Sequence, residues 1–135
     1  MLDKTSQEIR SIVTSEGCIE ISIARVEKPK PLENEVLIKV EASPINPSDL
    51  GLLISFAADL DSLSVSGSGN ATVAKMKIHP GLMKAMKSRM GQSMQVGNEG
   101  GGVIEDAGAN AKELIGKTVG AAGGAMYSQY RCVPA

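Results

Sequence analysis

The sequence predicts a mainly β domain, a small barrel or sandwich with a few short helices. Three observations carry this. Short runs rich in Ile and Val recur with alternating polarity. Turn signals made of Gly and Pro fall between them. Only two stretches carry helical signals. At 135 residues the chain fits one domain, spanning 1–135, and is long enough for a hydrophobic core.

The elements follow in order. Glu8 to Thr14 reads as a strand, and Gly17 as the turn after it. Cys18 to Val26 alternates, with Ile19, Ile21 and Ile23 on one face and Glu20, Ser22 and Ala24 on the other. Together the two runs make a hairpin. Pro29-Lys30-Pro31 opens a loop, and Val36 to Ala42 is the next strand, ended by Pro44 and Pro47. Asn46 can cap, and Pro47 can enter, a short helix that carries Ser48 to Ile54. Ser55 to Thr72, rich in Ser, Ala, Gly and Asp, reads as a mobile excursion with little core of its own. Pro80 and Gly91 bracket a second helix with Leu82, Met83, Met86 and Met90 along one face. Its Lys84, Lys87 and Arg89 point elsewhere and favour the negative end of the helix dipole. Strands return at Gly102 to Ala107, Lys117 to Gly120 and Ser128 to Val133. No internal repeat is evident.

Composition narrows the function classes. Hydrophobic residues make up 42%, the mark of an ordinary globular chain. The aromatics are Phe56, Tyr127 and Tyr130 alone, so the core must be aliphatic with help from seven Met. A net charge of −1 favours neither nucleic acid nor an anionic membrane. No apolar run reaches the length of a membrane span, and the N-terminus lacks the apolar segment of a signal peptide. A cytoplasmic location is therefore expected. Cys18 and Cys132 have no metal or redox spacing and read as free thiols. The glycosylation sequon at Asn70-Ala71-Thr72 reads as chance.

Two nucleotide motifs are decoys. Gly116-Lys117-Thr118 has the tail of a P-loop, but Ala111 stands where the first Gly belongs, and glycines follow where a helix should. Gly67-Ser68-Gly69-Asn70-Ala71-Thr72 begins like a dinucleotide fingerprint but ends on Thr72, with no convincing strand before it. No nucleotide-binding βαβ unit is expected. Nor is a zinc site, since His79 is the single histidine and neither Cys lies near it in sequence.

Two stretches bear chemistry, and each has two readings. Asn46-Pro47-Ser48-Asp49 is a plain helix start, or part of a pocket. In Gly97-Asn98-Glu99-Gly100-Gly101-Gly102, four glycines surround one carboxylate. They form a tight turn entering a strand, or they let a substrate or partner domain approach the main chain closely. The basic run Lys75, Lys77, Lys84, Lys87 and Arg89 reads as a solvated face, with a phosphate-bearing ligand or an acidic partner patch as the alternative.

The succession of these pieces is more specific than any one of them. It runs from the hairpin through Glu35-Val36-Leu37-Ile38-Lys39-Val40-Glu41-Ala42 and Ile45-Asn46-Pro47-Ser48-Asp49-Leu50. It continues through Val96 to Ile104 and Gly116-Lys117-Thr118-Val119, and ends on Tyr127 to Ala135. In residues 8–54 and 94–135 the chain resembles the N-terminal catalytic domain of the medium-chain dehydrogenase/reductase family. That resemblance implies a GroES-like fold, a partly open β-barrel with short helices. Zinc-dependent alcohol dehydrogenases of the family carry Cys at the position of Asn46 and His at that of Asn98, and a four-Cys structural zinc lobe that is absent here. The resemblance therefore points to the zinc-free quinone oxidoreductase and enoyl reductase branch.

The same resemblance implies an NADPH- or NADH-dependent oxidoreductase that reduces a quinone or enone and binds no metal. Asn46 matches the family's active-site Asn, on the nicotinamide side of the pocket. Ser48, Asp49, Asn98 and Glu99 are the further pocket residues. Gly51 stands where many quinone reductases carry a tyrosine. The stretch at about 55–95 is longer than the family norm, a variable excursion. The family's nucleotide-binding domain begins about where this sequence stops, so the chain is expected to hold NADPH weakly and to be inactive alone. Missing closing strands would leave a sheet edge open, and some tendency to form a homodimer is expected. The rival readings are a stand-alone GroES-like binding or assembly module without catalysis, and a fragment of an alcohol dehydrogenase.

Overall fold

Among the described residues nine strands alternate with short helices and turns. The structure is a computed structural model that describes residues 4–135; Met1, Leu2 and Asp3, part of the N-terminus read above for a signal segment, lie outside the described residues. The strands are β1 (Thr5–Val13), β2 (Cys18–Glu27), β3 (Glu35–Ala42), β4 (Ala58–Ser66), β5 (Val73–Ile78), β6 (Met94–Gln95), β7 (Glu99–Ala107), β8 (Thr118–Ala122) and β9 (Tyr130–Pro134). The α-helices are α1 (Pro47–Leu53) and the single turn α2 (Met83–Met86). Two antiparallel sheets result, with strand orders β4-β5-β2-β1-β6 and β8-β7-β3-β9. Neither closes into a barrel, which bears out the expected mainly β, partly open class. Contacts divide the chain into two compact units.

The described part of the first unit covers residues 4–8, 25–45 and 97–135. At its centre β3 pairs with β7 on one side and β9 on the other. The alternation of Val36, Ile38 and Val40 explains the core. Val36 and Ile38 are buried with Ile104, Ala107 and Ala111, and Val40, Val119 and Val133 pack against them. Gly102 lies opposite Val40 on β7, and a Cβ there would overlap the Lys39 carbonyl. The pairing slips at Leu37/Ile38 and again at Val40/Ala42, so glycine lets a bulged strand lie against its neighbour. Gly108 serves the same purpose at the strand's end, against the Leu32 and Glu33 carbonyls.

The second unit covers residues 9–24 and 46–96. Its core gathers Val13, Ile19, Ala57, Met76, Ile78 and Met86, with Leu82 and Met83 against them. The alternation read in β2 is real at its inner end, where Ile19 is fully buried, and fades outward to a largely exposed Ile23. Met supplies much of the volume, as the shortage of aromatics requires.

Two expectations fail here. Ser55 to Thr72 is not a mobile excursion: it supplies β4, which pairs with β5 from Ala58↔Ile78 to Ser66↔Val73 around a turn at Gly69–Ala71. The polar composition misleads because β4 is an edge strand, and only Ala58 of its residues is buried. Its pairing jumps from Asp59↔Lys77 to Ser64↔Lys75, a bulge that leaves Leu60 and Leu63 exposed, as is Val65 beyond it. The second helix also shrinks, to α2 flanked by 3₁₀ turns at Pro80–Leu82 and Lys87–Arg89. It has no side-chain cap, no acidic first turn and a glycine at position 81. A helix so short gains little from its own hydrogen bonds. Tertiary partners take its C-terminal end instead: Met90 bridges to Val13, and the Gly91 N–H donates to the Val13 carbonyl at 2.8 Å.

Gly102→Ala is expected to destabilise the protein by about 3 kcal/mol or more, because the new methyl meets backbone that cannot move aside. Ile19→Ala should cost roughly 2–5 kcal/mol through the cavity it leaves. Denaturant titration of both variants checks these values.

Candidate functional site

The residues singled out from the sequence fall on two elements, one in each unit. Asn46 precedes α1 and Pro47 opens it. The Asn46 N–H donates to Asp49 Oδ2 at 2.8 Å, and the Asp49 N–H donates to the Asn46 carbonyl at 3.0 Å. Asp49 is only 2% exposed, so its carboxylate is committed to the helix start. The plain reading of this stretch thus accounts for Asp49. Asn46 is half-buried and Ser48 exposed, on the same turn.

At the far end of α1 the chain turns through Ser55, which has a φ of +61°. The Ile54 and Ser55 N–H groups both donate to the Leu50 carbonyl, at 3.0 and 2.9 Å. The Ser55 hydroxyl meets Met86 Sδ at 3.4 Å and accepts from the Ala57 N–H at 3.2 Å. Gly51 has open space around it.

Asn98 and Glu99 lie in the first unit, at the start of β7, and both are exposed. The Asn98 carbonyl accepts from the Gly123 and Gly124 N–H groups at 3.0 and 3.3 Å. Glu99 rims an open cleft of about 340 Å³ formed with Pro44, Gly100, Gly120, Ala121 and Ala122. The floor is backbone and methyl groups, so a flat group could lie against it, with the carboxylate at its edge.

The glycines at this cleft serve the chain's own backbone. Gly97 has a φ of +93°, and a Cβ there would stand 2.5 Å from the Tyr127 nitrogen. A Cβ on Gly100 would stand 2.6 Å from Ser43 Oγ. That hydroxyl donates to the Met126 carbonyl at 3.0 Å, and the Tyr127 hydroxyl donates to the Pro44 carbonyl at 2.9 Å. Ser43 and Tyr127 therefore brace the cleft, a role the sequence reading missed. The local sequence carries no signal for it, since each hydroxyl finds its acceptor 83 residues away along the chain.

A second concavity in the same unit, of about 620 Å³, is lined by Lys28, Glu105 and Asp106 among others. Lys28 pairs with Glu105 at 3.0 Å and lies 4.0 Å over the Tyr130 ring. Burial opposes the Lys28 charge, but Glu105 outweighs it and raises the pKa. The Ala107 N–H and then Lys112 hold the Asp106 carboxyl below its ordinary value. Burial and then Glu35 push the Cys132 thiol up. That thiol is free, as is the buried Cys18 in the other unit.

No metal or nucleotide cradle stands out. Among the described residues no group of three or more His, Cys, Asp or Glu could hold a metal ion. Gly67–Thr72 closes the β4–β5 hairpin and leads into no helix that could receive a pyrophosphate. No helix among the described residues is long and apolar enough to cross a membrane. The basic run is divided among elements: Lys75 and Lys77 sit on β5, with Lys75 paired to Glu16 and Glu20, whereas Lys84 sits on α2 and Lys87 and Arg89 on the 3₁₀ turn after it.

Comparison with known proteins places this architecture. No protein-family model matches the sequence. Over 34 residues the chain is 53% identical to a zinc-type alcohol dehydrogenase-like protein of Schizosaccharomyces pombe, covering 25% of this chain and 10% of that protein. Among solved structures, a Mesorhizobium loti protein assigned as an NADPH:quinone reductase matches 99% of this chain at TM-score 0.58 and 20% identity, over 36% of its own length. The quinone oxidoreductase of Coxiella burnetii matches 97% at TM-score 0.55 and 18% identity, over 35% of its length. The human synaptic vesicle membrane protein VAT-1 homolog-like protein matches 98% at TM-score 0.58 and 17% identity, over 33% of its length. The chain thus spans about a third of the structures it matches. At such identities the likeness is one of fold. It bears out the resemblance to medium-chain reductases read from the sequence.

Asp49→Ala removes the acceptor at the helix start and is expected to cost about 0.5–2 kcal/mol, with Asp49→Asn costing less, by thermal unfolding at neutral pH. Asp106 behaves differently. Its folded-state pKa is lowered, so its contribution is present above the unfolded value near 3.8 and fades as pH falls below it. Solvent screening keeps that contribution under about 1 kcal/mol. Asp106→Asn should therefore lower stability slightly at pH 7 and leave it unchanged near pH 2, measured by denaturant titration at both.

Proposed function

We propose, from this shared fold, that the chain is the substrate-side part of a zinc-independent oxidoreductase that reduces quinones or enones with NADPH or NADH. The observation that carries the reading is chemical. Amides stand at positions 46 and 98, where zinc-dependent relatives keep a thiolate and an imidazole. Neutral amides cannot replace those ligands, but they can donate hydrogen bonds.

The residues present suit the nicotinamide end of such a cofactor and not its nucleotide end, for which no βαβ unit is described. NADPH, when bound, supplies a hydride to an electron-poor carbon. Asn46 donates its side-chain amide to the carbonyl oxygen on which negative charge develops. Asp49 holds the Asn46 backbone, and Ser48 adds a hydroxyl to the same turn. Glu99 borders the cleft at Gly100, where a planar ring can lie on backbone, and Asn98 precedes Glu99 in the chain. The remaining nucleotide contacts belong to a further domain of a longer protein, and this chain alone holds NADPH weakly and does not turn over. The substrate is a small molecule from the aqueous phase, in a cytoplasmic setting.

The relative from Schizosaccharomyces pombe favours one other reading, a piece of a zinc-type alcohol dehydrogenase-like protein. Metal analysis separates the two. In the full-length protein we expect less than one equivalent of zinc, NAD(P)H oxidation with quinones or enones, and a roughly hundredfold lower kcat in Asn46→Ala. Stoichiometric zinc whose removal abolishes turnover overturns the reading. A full-length protein that oxidises no NAD(P)H with either substrate class favours a binding module instead.

A further inference from the structure

Arg89 is a cation whose bonds go to neutral oxygens. Its Nη2 donates to the Leu52 carbonyl at 2.8 Å and to Ser11 Oγ at 3.4 Å. Its Nε is buried without a hydrogen-bond partner. Ser11, itself fully buried, donates to the Leu53 carbonyl at 2.8 Å. Leu52 and Leu53 are the last two residues of α1, whose final carbonyls have no acceptor role left within the helix. A guanidinium and a hydroxyl from elsewhere in the chain therefore close the C-terminal end of this helix. The arrangement suits the negative pole of the peptide dipoles and explains why Arg89 needs no carboxylate.

The other end of α1 is closed by Asp49 on the Asn46 N–H. A helix of 7 residues is too short to hold itself. Its placement is set by what grips its two ends. At about 1.5 Å per residue it is also a short rod, so a shift at one end appears at the other. Both bonds come from one nitrogen, Nη2, carried on a planar group whose Nε is buried, so arginine fixes that donor in place where a flexible lysine does not.

We propose that Arg89 is a positioning residue: by holding the Leu52 carbonyl it fixes the axial placement of α1 and with it Asn46 and Asp49. The catalytic consequence rests on the function proposed above; the mechanical one does not. The inference also gives the long 55–95 stretch a task, since Arg89 sits near its end and folds back onto the helix that precedes it.

The test uses Arg89→Met and Arg89→Lys in the full-length protein, with amide hydrogen exchange across residues 46–50, steady-state kinetics and thermal unfolding. In Arg89→Met, exchange at Asp49 and Leu50 should quicken roughly tenfold or more while β5 stays protected. The kcat for quinone or enone reduction should fall about tenfold, with KM little changed, since a displaced donor costs rate before it costs binding. Arg89→Lys should recover part of both. A role confined to stability would lower the melting temperature and leave these amides and the kcat of the folded enzyme at wild-type values; that result overturns the proposal. If the amides loosen but even the wild-type protein reduces neither substrate class, the functional reading fails and the positioning role stands. Should Arg89→Met not fold, full wild-type protection of Asp49 and Leu50 in Arg89→Lys, which keeps the charge and loses the planar guanidinium, counts against the proposal in the same way.

Discussion

The close approach of Gly102 on β7 to the Lys39 carbonyl on β3 is the contact on which the first unit depends. β3 is the strand shared by two neighbours, and its pairing with β7 slips twice within eight residues. At the second slip Val40 and Ala42 face Gly102 and Gly101, and the strands lie this close because no side chain stands between them there. The neighbouring glycines make further close approaches around the cleft. Gly100 tucks under Ser43, Gly97 turns against Tyr127, and Glu99 is delivered to the rim. The glycines at this motif are thus first a matter of strand packing. The shallow floor of the cleft is what that packing leaves behind.

The second unit depends on a different device. Its α1 is a short helix whose start is closed by its own Asp49 and whose C-terminal end is closed by groups from distant parts of the chain. Ser11 comes from the first hairpin and Arg89 from the segment after β5. Closing this network requires the 55–95 stretch to be ordered, which its core of Ala57, Met76, Ile78 and Met86 achieves. A stretch that carries no candidate site residue of its own can in this way support the helix that does.

How much of this could be read beforehand differs by element, for physical reasons. β2 and β3 were legible because Ile19, Val36 and Ile38 mark buried faces in long alternating runs. The start of α1 was legible because Asn, Pro and Asp at that spacing have few other uses. β4 was not, because an edge strand with one buried residue has little need of apolar character. β5 alternates Lys75 and Lys77 with Met76 and Ile78, and the lysines drew attention to charge instead of period. The second helix was over-read because Leu82, Met83 and Met86 do face a core, but from turns rather than from one continuous helix. At the candidate site, residue types were legible and bracing was not. Asn46 and Glu99 announce themselves in the sequence, whereas the hydroxyls of Ser43, Tyr127 and Ser11 acquire meaning only once distant carbonyls arrive beside them.

The bulge in β4 has a consequence for how the protein behaves in a crowd. A straight border strand bearing Leu60, Leu63 and Val65 would be a template on which foreign chains could stack in register, the first step towards a fibril. Because its pairing lapses between Asp59 and Ser64, that border presents no continuous ladder to copy. Greasy side chains can therefore stay in water there, with the broken ladder and the carboxylates of Asp59 and Asp61 both working against ordered misassembly.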